Sequence, residues 1–406
     1  MDDQILYWIW LTQRKGLGAV GLRQLLDDFG SPVSLYTAGA EPLARAAVAP
    51  ALRETLLDKE LGPAEAIARQ CRKLGISVLT LWEEAYPRAL RQVSDAPLVL
   101  YCRGQLPPMG SQPWIGVVGA RKADRRGLAT ARLLGGEISA CGGVVVTGMA
   151  KGVDAEAAWG ALEQGCPVVG VLGGGVDVVY PRENAGLFAR VAEQGCLLSE
   201  YPPGVGPNAR HFPARNRIIS ALSDGVVVVQ AAEQSGALIT ARWAADQGRD
   251  VFAVPGPAGE PLSRGCNQLL RDGAILAENG WDVMREYEFR YPSVVRMQST
   301  KCKMQIEASP VGAVKTSPAC RGGGPAARPV EGCRPQTKRA AELDLSGLTP
   351  VQQQIAEALM EGPLQLDALI DKTGLPTAQV LPQLTVLQIK KLISQKPGKI
   401  YELSGG

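Results

Sequence analysis

The sequence predicts an α/β protein built on a doubly wound, Rossmann-like parallel sheet, with an N-terminal helical domain and a C-terminal winged helix-turn-helix. Three observations carry the prediction. From Trp114 onward, short β-rich apolar runs alternate with helix-period segments. The first hundred residues or so carry helical periodicity instead. The last sixty read as three helices closed by a strand, a turn and a strand. A chain of 406 residues fits two or three such domains.

In the N-terminal part (1–105), apolar positions recur at helical spacing through Ile5, Trp8, Ile9 and Leu11, then through Leu22, Leu25, Leu26 and Phe29. Between them Gly16-Leu17-Gly18 reads as a turn, and Gly30-Ser31-Pro32 closes the unit. The outline is SAM-like or helix-hairpin-helix-like. It suits a plain helical hairpin, or a turn whose amides hold phosphate. The central domain (106–289) has apolar runs at 114–118, 144–147, 168–172, 196–199, 226–230 and 251–254, with helical segments at 127–140, 155–164 and 238–247. Strands apolar on both faces and spaced by helices belong to a parallel sheet covered on both sides.

Residues 290–342 read as a flexible linker rich in Pro, Gly and Ser. They hold ten Lys/Arg against three Glu, so this segment is +7 in a chain of net +3, and the remainder is −4. A basic tether of this kind either adds salt-sensitive affinity for a polyanion or is simply solvated. In the C-terminal domain (343–406), a helix from Thr349 ends at Gly362-Pro363, a second covers 366–373, and a third covers 378–392. A turn at 396–399 then leads to a strand at 400–403. The third helix carries cations only at Lys390 and Lys391, with Gln379 and Gln383 as thin support for base reading, so DNA and protein partners both stay open for this domain.

Composition excludes several chemistries. One histidine, His211, rules out HExxH zinc helices and His-rich metal cages. Nine cysteines without a CxxC argue against a zinc ribbon and fit a reducing compartment. Met1-Asp2-Asp3 is acidic where a signal peptide is basic, and no apolar stretch approaches about 20 residues, so a cytoplasmic protein without a membrane span is expected. No metal, catalytic or cofactor site is assigned.

The chemistry concentrates in loops after the strands. These are Gly119-Ala120-Arg121-Lys122, the run from Gly148 through Lys151 to Asp154, Gly173-Gly174-Gly175 with Tyr180-Pro181-Arg182 beyond, and Ser235 to Thr240. Open α/β sheets bind ligands at these strand ends, where glycines and helix N-termini approach phosphate. A dinucleotide is disfavoured: no GxGxxG follows the first strand of the sheet, and there is no GxxxxGK[ST]. The run His211-Phe212-Pro213-Ala214-Arg215-Asn216-Arg217 reads as a loop aromatic beside phosphate donors, a combination suited to single strands, whose base faces are open. His211 reads as a satisfied polar residue.

These motifs resemble the DNA-processing protein A family (DprA, or Smf). The matching stretches are VVGARKADRRG (117–127), VTGMAKGVDAEA (146–157), VLGGGVDVVYPREN (171–184), LLSEYPPG (197–204), HFPARNRIISALSDGVVVVQA (211–231), SGALITARWAADQGRDVFAVPG (235–256) and SRGCNQLLRDGA (263–274), in family order. The resemblance implies a non-enzymatic protein that binds and protects incoming single-stranded DNA and loads the RecA recombinase in natural transformation and homologous recombination. It also implies a homodimer formed through the Rossmann domain. By position it points to Gly119, Arg121, Arg182, Phe212, Arg215, Asn216 and Arg217, and with Lys122, Gly148, Lys151, Ser235 and Thr240 from the strand-end loops these make up the expected DNA-binding set. Ala158 stands where the family often has a histidine, so no role of that histidine is carried over. Two other functional classes compete with this one. A nucleotide hydrolase on the same fold would need a PGGxGT loop and a catalytic Glu where Ser235–Thr240 stand; a winged-helix regulator would need sequence-specific duplex reading by residues 343–406.

Overall fold

The computed structural model describes residues 3–14, 18–46, 48–295, 349–360, 362–375, 380, 383–384, 386–388, 392–396 and 400–403. The chain divides into two units, one running to Arg285 and one holding the C-terminal domain. The linker expected at 290–342 lies outside the described residues from 296 on, as do Gly16 and Leu17 of the N-terminal turn.

Six helices open the first unit: α1 (Asp3–Thr12), α2 (Ala19–Phe29), α3 (Pro32–Thr37), α4 (Ala40–Arg45), α5 (Pro50–Leu57) and α6 (Gly62–Leu74). Proline in the first turn starts α3, α5 and α6, where its missing N–H costs nothing. Gly30 and Gly75 end α2 and α6 in the left-handed region. Trp10, Leu26, Leu35, Leu43 and Leu56 fill the core between them, and the Trp10 indole N–H donates to the Asp58 carbonyl at 3.0 Å.

The segment expected to be helical to residue 105 is not helical throughout. It contains β1 (Ser77–Thr80), the short α7 (Arg88–Arg91) and β2 (Val99–Gly104). Once Gly75 has stopped α6, the run Val78-Leu79 is too short for another helix, and it pairs antiparallel with β2. Strand β2 in turn pairs antiparallel with the edge of the parallel sheet.

The parallel elements follow the expected order: β3 (Trp114–Val118), α8 (Arg125–Ala140), β4 (Val144–Thr147), α9 (Val153–Glu163), β5 (Val168–Val171), α10 (Ala185–Gln194), β6 (Cys196–Ser199), α11 (His211–Leu222), β7 (Gly225–Val228), α12 (Gly236–Asp246), β8 (Asp250–Ala253), α13 (Arg264–Arg271), β9 (Ile275–Leu276) and α14 (Gly280–Met284). Every residue of β3 to β7 is buried, as strands covered by helices on both faces require. The sheet order is β1-β2-β6-β5-β4-β3-β7-β8-β9. The chain therefore winds outward from β3 to β6 on one side, then crosses to lay β7, β8 and β9 on the other. The order reverses between β3 and β7, where Gly116 pairs with Val226 and Val118 with Val228. At that switch the loops leaving two neighbouring strands diverge and open a crevice.

In the second unit, α15 (Pro350–Met360) and α16 (Leu366–Thr373) precede a three-stranded sheet of β10 (Leu364–Gln365), β12 (Ile400–Leu403) and β11 (Ile393–Lys396). Ile355, Leu359, Leu369, Val380, Leu384, Leu387, Ile393 and Tyr401 form its core. Two helices and the wing strands match the expected winged helix. Most of the expected third helix, with Gln379, Lys390 and Lys391, lies outside the described residues. Among the described residues no helix is long and apolar enough to cross a membrane.

Candidate nucleic-acid interface

The crevice at the β3/β7 switch is a cavity of about 640 Å³. Its walls come from the β3–α8 loop (Gly119, Arg121), the first turn of α9 (Asp154), Tyr180, one face of α11 and the N-terminus of α12. Seven of the twelve expected site residues line it: Gly119, Arg121, Phe212, Arg215, Asn216, Ser235 and Thr240.

The Phe212 run was expected to be a loop, and here the structure corrects the sequence reading. His211 to Leu222 is a helix, α11, with Phe212 in its first turn. Phe212, Arg215, Asn216 and Ile219 then fall three, four and seven residues apart, on one face, and all four line the cavity. Arg217 lies two residues beyond Arg215, about 200° around the helix. It points away, into a pocket of acids. Its guanidinium donates to Glu200 at 2.8 and 3.1 Å, pairs with Asp95 at 3.0 Å, and also bonds the Asp95 and Ala214 carbonyls. Burial alone would lower its pKa, but Glu200 and Asp95 hold it above the ordinary arginine value. Arg217 is therefore held in ion pairs and does not line the cavity.

Arg215 forms the floor. It is 4% exposed, and its Nη1 donates to the Gly148 carbonyl at 2.7 Å and to the Val171 carbonyl. Burial pushes it down to about 10, so it stays charged at neutral pH, and nearby Asp154 opposes that shift. Asp154 is itself buried and accepts from the Gly148 amide at 3.1 Å. Burial raises its carboxyl, while Arg215 and backbone amides pull it back down. The expectation that Gly148 is small to admit phosphate has a different physical reason. A Cβ there would come within 2.5 Å of the Arg215 guanidinium, so the glycine makes room for the floor arginine. Met149 next to it is in the left-handed region (φ 57), held by Asn184, whose Nδ2 donates to the Met149 carbonyl at 3.0 Å.

Above this floor stands an exposed rim. Arg121 lies 5.0 Å from the Phe212 ring centroid, a cation–π stack. Tyr180 sits 5.7 Å from Phe212 at 32° and is 47% exposed. Lys122 and Arg182 are exposed and, among the described residues, have no side-chain partner. Lys151 is exposed too, but pairs with Glu183 at 2.6 Å. Ser235 caps α12 by accepting from the Ala237 amide at 3.3 Å, and Asn216 Nδ2 donates to the Gly236 carbonyl at 3.3 Å. His211 is satisfied, as expected: it bonds the Gly173 carbonyl at 3.1 Å and stacks on Tyr201 with centroids 3.9 Å apart.

Tyr180 and Asp154 lie in the strand-end loops singled out from the sequence but were not in the expected DNA-binding set, and both line the cavity. Tyr180 carried a signal, since it ends the loop after the triple glycine. Asp154 closes the loop after β4, but only the fold brings it beside Arg215. The arrangement offers cations, a helix N-terminus and aromatic faces around a concave surface. No hydroxyl or thiol nucleophile paired with a base was found among the described residues that line it.

Comparison with known proteins fits this geometry. Residues 77–288 match the model of the DNA recombination-mediator protein A family, from β1 to just past α14. Residues 339–399 match the DprA winged helix domain. Protein Smf of Synechocystis is 33% identical over 99% of this chain and 99% of its own. The DNA processing protein DprA of Streptococcus pneumoniae is 40% identical over 52% of this chain and 74% of its own. The X-ray structure of DNA processing protein A from Streptococcus pneumoniae superposes with a TM-score of 0.61 at 32% identity, covering 69% of this chain and 96% of that one.

Proposed function

This chain belongs to the DNA recombination-mediator protein A family, and from that premise we propose that it binds single-stranded DNA on the rim of the β3/β7 cavity. In this reading it is a non-catalytic mediator. It shields incoming strands and hands them to the RecA recombinase in transformation or homologous recombination, acting in the cytoplasm as a homodimer through the Rossmann domain.

The observation that carries the reading is the Arg121–Phe212–Tyr180 stack beside the capped N-terminus of α12. Bases of a single strand can add to aromatic and guanidinium faces, a contact that duplex DNA denies by keeping its bases stacked inside. Successive phosphates would meet Arg121, Lys122 and Arg182, which are exposed. Arg215 and Gly148 shape the floor on which this rim stands. Two such sites in a dimer would bind one strand with higher avidity. Binding of labelled single-stranded and duplex oligonucleotides over a salt series tests the strand preference, and recombinase filament assembly on a protein-coated strand tests the hand-over.

A further inference from the structure

Aromatic groups that stack on a strand bind best when their spacing is set beforehand, because ordering a loose wall on binding subtracts from affinity. Tyr180 and Phe212 stand on different segments. Tyr180 lies in residues 173–181, after β5, and Phe212 follows residues 200–210, after β6. The second segment is neither helix nor strand, is mostly exposed, and lends Pro207 and Ala209 to the cavity wall. A seam joins it to the first. The Asp177 carboxylate accepts from the Gly204 amide with both oxygens, at 2.9 and 3.1 Å, and the Gly175 amide donates to the Val205 carbonyl at 2.9 Å. The triple glycine lets the two backbones close. A Cβ at Gly174 would lie 2.9 Å from the Val205 carbonyl oxygen, and one at Gly175 would lie 2.8 Å from that of Pro202. From α6, Gln70 Nε2 donates to the same Asp177 carboxylate at 3.5 Å, so the N-terminal helices meet the seam as well.

We propose that Asp177 is a positioning residue for strand binding: it locks residues 202–209 against residues 173–181 and so fixes the Tyr180–Phe212 pair, whose centroids are 5.7 Å apart. It acts through the backbone of the two loops and not on the DNA. This inference rests on the single-strand reading of the rim, and its test separates the two. Charge and position lead to opposite expectations. A carboxylate near a polyanion repels it, so on charge alone both Asp177→Ala and Asp177→Asn would tighten binding. A carboxylate that holds the loops has only an amide and a carboxamide as its donors here. Asn can replace it in part, because its side-chain oxygen also accepts from an amide, and Ala cannot.

Two measurements on the full chain suffice. The first is anisotropy of a labelled single-stranded oligonucleotide over a salt series. The second is fluorine NMR, without DNA, of protein carrying 3-fluorotyrosine, with the Tyr180 signal assigned by its loss in Tyr180→Phe. Asp177→Ala is expected to bind the strand about tenfold more weakly and to shift or broaden the Tyr180 signal. Its salt slope stays that of the wild type, since no phosphate contact is lost. Asp177→Asn is expected to stay within about threefold of wild-type affinity and to keep the signal. Tighter or unchanged binding by Asp177→Ala, an unmoved Tyr180 signal in that variant, or no rescue by Asp177→Asn overturns the proposal. Should Asp177→Ala fail to fold, Gly175→Ala parts the same seam with the carboxylate still present, and it must show the same loss of affinity and the same change of signal. Absence of strand binding by the wild-type chain removes the single-strand reading, and the fluorine signal still decides whether Asp177 sets the loop that carries Tyr180.

Discussion

The floor and the rim of the β3/β7 cavity are built from the same residue types and behave differently. Arg215 and Arg217 leave α11 two residues apart, and both are buried and committed to protein acceptors. Arg121, Lys122 and Arg182 stand at the strand ends, exposed, with Arg121 lying over the Phe212 ring. A cation on the floor is a structural element whose removal strands a carboxylate in low dielectric. A cation on the rim is available to a partner. The residue type does not decide between these roles; the number of acidic and carbonyl groups brought to it by the fold does.

That contrast is broken most forcefully at Arg217. Arg217→Ala leaves Glu200 and Asp95 unpaired in a largely dehydrated pocket, and loss of one partner of such a pair costs about 3–5 kcal/mol. Urea unfolding is expected to show a loss of that order, with DNA affinity of the folded fraction little changed. A large affinity loss at unaltered stability would move Arg217 to the rim. Next in size is Phe212→Ala, expected to weaken single-strand binding by about 1–3 kcal/mol through lost stacking, with little change for duplex. Arg121→Ala removes one phosphate contact and the guanidinium that covers Phe212. Plots of log affinity against log salt should lose about 0.7 in slope, the value of one single-strand phosphate.

The floor also has a pH signature. The Asp154 carboxyl is raised above its ordinary value, so between the unfolded and folded pKa values the native state holds more of this proton. Stability from this group is fully present below the unfolded pKa and is lost as pH rises through the folded one. Asp154→Asn should therefore flatten that part of the acid stability curve, and an unchanged difference between the two proteins across the window would contradict the assignment. Smallest of all is Lys151→Ala. Its partner Glu183 is exposed, as is the lysine, and such pairs contribute about 0–1 kcal/mol to stability.

Much of this could be read from the chain itself. The β3 to β8 strands sit within two residues of where apolar runs placed them, because strands buried on both faces must be continuously apolar. The loops that carry the site were legible for a related reason, since glycines and polar residues cluster where those runs stop. Two things were not legible. Residues 77–80 and 99–104 form strands only because the edge of the sheet, β6, is there to pair with β2, and no local periodicity announces that. The role of Arg217 depends on Glu200, seventeen residues upstream, and on Asp95, more than a hundred residues away. Reading the Phe212 run as a loop hid the helical geometry that turns Arg215 and Arg217 to opposite sides.

The central claim is that single-stranded DNA binds at the rim. Its most direct measurement is fluorescence anisotropy of matched single-stranded and duplex oligonucleotides over a salt series, with wild type, Arg121→Ala and Phe212→Ala in parallel. The account predicts a strong single-strand preference that both variants diminish, with only Arg121→Ala lowering the salt slope. Equal affinity for single strand and duplex, or variants indistinguishable from wild type, would contradict it.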